Sequence, residues 1–128
     1  MEDKMTGRFT VFLIILLTSA VSFGDAPNPI CKNNPDGIVK DYYPHGVVQT
    51  EWGCKNGQLN GTTKLYYESG ALKKEVNYKN DKMEGPSHTY YESGALEGVC
   101  NYKDGDLDGA RKIYFENGAL KDVLNFGK

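Results

Sequence analysis

The chain has 128 residues, room for one domain and its leader. Its 15 Lys and Arg stand against 17 Asp and Glu, a formal net charge of −2. Without a basic excess, neither a nucleic acid nor an anionic membrane surface is expected as a partner.

Residues 1–24 read as a targeting segment. Lys4 and Arg8 give a positive start, 9–21 is a short and largely apolar run, and Ser22 and Gly24 place small side chains before a cleavage point at Asp25. Glu2 and Asp3 are out of place in such a start, and initiation at Met5 would remove both. A retained anchor is the alternative, but a helical span needs about 20 apolar residues and this run is shorter. No Cys directly follows the run, which disfavours lipid attachment. The expectation is therefore a signal peptide and an exported protein, periplasmic, secreted or in the cell envelope, with no stable membrane anchor after cleavage. Residues 25–36 hold three of the five prolines and no periodic apolar pattern, so they read as a linker or an irregular N-terminal cap.

From Gly37 onward the sequence repeats at a 24-residue interval without gaps. The units are 37–60, 61–84, 85–108 and 109–128, opened by Gly37, Gly61, Gly85 and Gly109. Tyr42, Tyr66, Tyr90 and Tyr114 form one column of equivalent positions; Tyr43, Tyr67, Tyr91 and Phe115 form the next. Each unit carries signals for two hairpin loops. The first pair is His45-Gly46, Ser69-Gly70, Ser93-Gly94 or Asn117-Gly118; the second is Asn56-Gly57, Asn80-Asp81 or Asp104-Gly105. Asn-Gly and Asp-Gly suit the type I′ turn, whose two central residues need positive φ and whose twist matches the flanking strands. Asn80-Asp81 lacks the glycine.

If Ser69-Gly70 is a two-residue loop, Tyr67 faces Leu72, Leu65 faces Lys74, Lys64 faces Glu75 and Thr63 faces Val76. If Asn80-Asp81 is the next, Tyr78 faces Met83. Alternation then puts Leu59, Leu65, Tyr67, Leu72, Val76 and Tyr78 on one face, and Lys64, Tyr66, Lys73, Glu75 and Asn77 on the other. The two turn assignments agree on which parity is apolar. Carried along the array, the apolar face includes Tyr43, Val48, Trp52, Tyr91, Leu96, Tyr102, Leu107, Ile113, Phe115, Leu120, Leu124 and Phe126. The predicted fold class is all-β, a single-layer antiparallel meander of tandem 24-residue β-hairpins with about eight strands and almost no helix.

The segment YYESGALKKEVNYKNDKMEG, with its Tyr-Tyr-x-x-Gly-x-Leu core and the returns NYKNDKMEG and NYKDGDLDG, resembles a MORN-type repeat in the variant form found in bacterial YwqK-family antitoxin proteins. The resemblance covers residues 37–128. Unit one departs most, with Trp52 and Cys54 at the positions of Val76 and Tyr78, and Val47-Val48 at those of Ala71-Leu72; terminal repeats commonly differ because they cap the stack. The resemblance implies an antitoxin or immunity-like protein that acts by contact with a protein partner, plausible targets including a toxin.

A lone sheet normally buries its apolar face against a second layer, and residues 25–36 are too short and polar to cover about eight strands. The face then closes on itself by twisting, or meets a partner. Tyr42, Tyr66, Tyr90 and Tyr114 fall on the polar face, either as strand formers covering lysine stems or as a recognition ladder with about 10 Å between rungs. A structural envelope protein that self-associates, edge to edge through 121–126, is the rival to partner binding.

Catalytic chemistry has little support. His45 and His88 sit beside no nucleophile and in no metal-ligand spacing. Glu68, Glu92 and Glu116 recur as solvated turn-flanking residues, and Asp104, Asp106 and Asp108 lack the remainder of a calcium loop. No enzyme activity, cofactor or metal is expected. Cys54 and Cys100 fall about 19 Å apart on the apolar face, too far to bridge. Cys31 is able to fold back to Cys54 in an oxidising compartment, although buried free thiols are the preferred expectation.

Overall fold

The computed structural model describes residues 28–126. The expected signal peptide, residues 25–27 of the linker and residues 127–128 lie outside the described residues.

Ten strands form one sheet: β1 (Gly37–Tyr42), β2 (Val48–Lys55), β3 (Gln58–Leu59), β4 (Gly61–Tyr66), β5 (Leu72–Lys79), β6 (Lys82–Tyr90), β7 (Leu96–Lys103), β8 (Asp106–Leu107), β9 (Gly109–Tyr114) and β10 (Leu120–Phe126). Eight of them follow one another across the sheet in the order β1-β2-β4-β5-β6-β7-β9-β10, while the short β3 and β8 pair with β2 and β7. Every pairing is antiparallel. The described residues contain no helix and no second layer, so the predicted single-layer meander is the fold.

The two loops of each unit differ in construction. At the second, Asn56-Gly57, Asn80-Asp81 and Asp104-Gly105 all carry positive φ at both residues, as a type I′ turn requires. Asn80-Asp81 adopts this turn without a glycine because Asn and Asp tolerate the left-handed region better than other side chains. Asp81 is also held from outside, its carboxylate accepting from the Leu59 amide at 2.7 Å and the Asn28 side chain at 3.0 Å.

At the first loop the structure corrects the predicted two-residue turn. The Tyr67 amide donates to the Ala71 carbonyl and the Gly70 amide to the Tyr67 carbonyl, both at 2.8 Å. The loop therefore has three residues, Glu68, Ser69 and Gly70, and only Gly70 has positive φ. A type I turn closed by a left-handed glycine needs one permissive residue where type I′ needs two, and Ser69, like His45, does not fill the second role. The pairing near the turn shifts accordingly: Tyr66, not Tyr67, stands opposite Leu72, and a bulge then restores the predicted pairs Leu65↔Lys74, Lys64↔Glu75 and Thr63↔Val76.

The glycine opening each unit has a separate task. Between Val76↔Ser87 and Tyr78↔Met83 the register slips, so that Asn77 faces the Glu84-Gly85-Pro86 stretch. Gly85 has φ 92° there, and the Asn77 side chain donates to the Pro86 carbonyl at 2.9 Å. The same slip recurs around Gly61 and Gly109, both with positive φ. Bulges of this kind bend the strand and increase its twist, which lets a lone layer coil.

The core is small and lies at the N-terminal end. Cys31, Cys54 and Leu59 are buried, with Val39, Trp52 and Tyr78 packed against them. Contrary to the preference for free thiols, Cys31 and Cys54 form a disulfide, with Cα atoms 5.7 Å apart. The segment from Asn28 reaches Cys54 because it copies part of a preceding repeat. Pro35 accepts from the Gly57 amide just as Leu59 accepts from Asp81 and Met83 from Gly105. Asn28 adds a bond to the Gly57 carbonyl, and the Asp36 carboxylate one from the Asn56 amide. Residues 28–36 thus form a cap on the first repeat. Cys100 is a free thiol.

Candidate surface for partner binding

The two aromatic columns are used differently. The hydroxyls of Tyr43, Tyr67 and Tyr91 each donate, at 2.7 Å, to the backbone carbonyl of Tyr66, Tyr90 and Tyr114 in the following unit. This column joins each repeat to the next. Phe115, the fourth member, has no hydroxyl and no described repeat beyond it. Its exposed ring instead lies under the Lys121 ammonium at 5.4 Å, as Tyr67 does under Lys73.

The other column faces the opposite side of the sheet. The Tyr66 hydroxyl donates to the Glu51 carboxylate at 3.0 Å and that of Tyr90 to Glu75 at 3.3 Å. Burial raises both phenols above their ordinary pKa, and the neighbouring carboxylates raise them further. Burial alone would push Glu51 up, but the bonds from Tyr66 and Lys40 and the charges of Lys40 and Lys64 outweigh it and hold the carboxyl below its usual range. Lys40 pairs with Glu51 at 3.2 Å. At Tyr114 the equivalent of Glu51 and Glu75 is Val99, and Tyr42 is exposed. The predicted ladder is thus one exposed ring, Tyr42, and three half-covered ones, of which Tyr66 and Tyr90 have their hydroxyls already satisfied.

On the other face, directly paired residues form rows across the strands. Thr63, Val76, Ser87 and Cys100 stand in one such row, on β4, β5, β6 and β7. Thr63, Val76 and Ser87 are buried. The cover fails toward β10. Val76 is 4% exposed, and its equivalent Leu124 is 41%; Cys54 is 6% exposed, and its equivalent Phe126 is 38%. Trp52, Tyr67, Leu72, Tyr78, Tyr91, Leu96 and Tyr102 fall between these limits, while Phe115 and Leu120 are exposed with Leu124 and Phe126. Every residue of β10 is exposed.

The histidines are accounted for by local contacts. His45 stacks on Tyr43 at 5.8 Å and its Nε2 lies 3.3 Å from the Glu68 carbonyl; His88 stacks on Tyr90 at 6.3 Å. Asp104 is a turn residue with positive φ. Among the described residues no cluster of three or more metal-ligating side chains occurs. Sequence reasoning missed one feature, a small cleft on the Val76 face lined by Lys74, Thr89, Gly98, Cys100, Tyr102 and Arg111. Its residues lie on four strands and share no motif, though Gly98, Cys100 and Arg111 depart from their columns.

A search of curated proteins finds no match. A family model described as MORN repeat variant matches four segments, 35–52, 59–80, 83–104 and 107–126. All four begin two residues before an opening glycine, at Pro35, Leu59, Met83 and Leu107. Four tandem matches over most of the chain, on a sheet built from hairpins of the same period, place this protein in the MORN repeat variant family.

Proposed function

We propose that this chain is an exported, non-enzymatic binding protein that docks on another protein through the Val76 face of its last repeats, and that it neutralises a toxin in the manner of YwqK-like antitoxin or immunity proteins. The supporting observation is the change in cover along equivalent positions: what is buried at Cys54 and Val76 is open at Phe126 and Leu124. An apolar face that the described chain leaves uncovered favours association. Phe115, Leu120, Leu124 and Phe126 supply the large side chains, and phenylalanine is among the residues enriched in protein interfaces.

The test is capture from an extract of the native cell envelope on immobilised protein, beside a variant carrying Leu124→Asp and Phe126→Asp. The expected outcome is a secreted toxin retained by the parent, lost from the variant, and inactive while bound. Equal retention by both proteins, or a partner whose activity is untouched by binding, would overturn the proposal. A second reading is favoured by β10 itself, an edge strand with every residue exposed: edge-to-edge self-association into an envelope scaffold. Size-exclusion chromatography of the purified protein separates the two, since the scaffold requires concentration-dependent assembly without a partner.

A further inference from the structure

Repeats reveal which positions the fold constrains, because equivalent residues share an environment. At the position of Cys100 the other units carry Trp52, Val76 and Leu124; at that of Arg111, they carry Val39, Thr63 and Ser87. Gly98 stands where Thr50, Lys74 and Asp122 stand. An arginine in a row of small or apolar residues is a departure that packing does not require, and Gly98 stands in a row that otherwise carries side chains. The sheet brings them together. Gly98 is opposite Thr89 on one side and Ile113 on the other, Cys100 is opposite Ser87, and Arg111 is opposite Leu124.

All three line the cleft on the Val76 face. Gly98 keeps it open: a Cβ there would lie 2.9 Å from the Thr89 hydroxyl and 3.3 Å from the Lys112 carbonyl. Lys74 on β5 and Arg111 on β9 flank it, with β6 and β7 between them, about 16 Å apart at the backbone. Among the described residues neither is ion-paired with a carboxylate, and no acidic side chain lines the cleft. The Thr89 and Tyr102 hydroxyls add hydrogen-bonding groups to the same walls. A cationic recess in a protein of net charge −2 concentrates anions locally. Arginine in particular binds a carboxylate through two parallel bonds. Leu124, exposed and paired with Arg111, sets an apolar contact beside it.

We propose that this cleft is an anion subsite that seats a carboxylate side chain from an acidic, partly apolar segment of a protein partner. The proposal rests on the docking reading above and adds the chemistry of the partner.

The test is an amide-shift NMR titration of the protein with a capped Glu-Leu-Glu peptide, a capped Lys-Leu-Lys control and inorganic phosphate. The expected result is saturable shifts at Thr89, Gly98 and Arg111 with the acidic peptide and none with the basic control, the peptide being displaced by competing phosphate. Affinity should fall at least about tenfold in Lys74→Gln/Arg111→Gln, and the fold should stay intact by circular dichroism because Arg111 is exposed and Lys74 only partly buried. Saturation by phosphate without any response to the peptide would assign the cleft to a free anion and overturn the protein source. Absence of saturable shifts with either probe, or an undiminished response in the double variant, would overturn the subsite altogether. If a captured partner binds Lys74→Gln/Arg111→Gln as tightly as the parent yet fails to bind Leu124→Asp/Phe126→Asp, the cleft fails while the docking face stands.

Discussion

Tyr43, Tyr67 and Tyr91 spend their hydroxyls on backbone carbonyls of the next repeat, which makes each a cross-repeat clasp. A neutral hydrogen bond of this kind contributes about 1 kcal/mol, and its removal leaves a partly covered carbonyl without its partner. Tyr67→Phe and Tyr91→Phe are each expected to lower stability by about 1 kcal/mol in urea denaturation. Phe115→Tyr should change stability by less than about 0.5 kcal/mol, because no described carbonyl lies one repeat further on. The periodic Tyr-Tyr pair was plain in the sequence, but which member bonds to the backbone was not, since a carbonyl acceptor leaves no mark on residue identity. The Tyr66–Glu51 contact carries a pH signature as well. Glu51 titrates lower in the folded chain than unfolded, so its contribution is complete above the ordinary glutamate pKa and disappears as pH falls through the folded value. Tyr66 titrates higher when folded, so its contribution is complete below about pH 10 and is lost as pH rises through the folded value. Glu51→Gln should therefore flatten both the acid and the alkaline limbs of a stability–pH profile measured by thermal denaturation.

At the scale of elements, the cap and the two turn types decide the outcome. The disulfide closes a loop between residues 23 apart in sequence, and in the chain-entropy account such a closure stabilises by about 3 kcal/mol. Paired Cys31→Ser and Cys54→Ser substitutions, or reduction of the parent, should lower the unfolding free energy by about that amount. Gly70→Ala should cost about 1 kcal/mol, since φ 92° suits glycine alone; the same substitution at Gly85 tests the bulge. The hairpin period, the apolar parity and the central register were legible because they depend on spacing and alternation. The first loop was not, because Ser-Gly suits a two-residue and a three-residue turn equally well on paper. Only the φ demand on Ser69 separates them. The cap was hidden for a related reason: Pro35 and Asn28 join the stack through backbone atoms, so their segment looks like a linker. The candidate cleft was legible only in retrospect, from Gly98, Cys100 and Arg111 breaking their columns at once.

Across the whole molecule, a single layer of tandem hairpins makes stability close to a sum of nearest-neighbour terms. Cover in that layer is uneven: it is greatest where the cap, Cys54, Leu59, Thr63, Val76 and Ser87 meet, and least on β10. Leu59→Ala should cost about 3 kcal/mol through lost burial and the cavity left behind, whereas Leu124→Ala, already half in water, should cost less than about 0.5 kcal/mol. Local opening follows the same gradient, because segments with few buried contacts exchange their amides at the lowest free energies. Native-state hydrogen exchange is expected to be slowest in β4, β5 and β6 and fastest in β10, with intermediate rates in β7 and β9. A ligand that binds the folded state alone raises the protection of whatever it orders. Docking on the Val76 face should therefore slow exchange most in β9 and β10 while leaving β1 and β2 unchanged. If exchange in the free protein is uniform across the strands, the layer behaves as one cooperative block, and the end left open by Leu124 and Phe126 is no looser than the capped one.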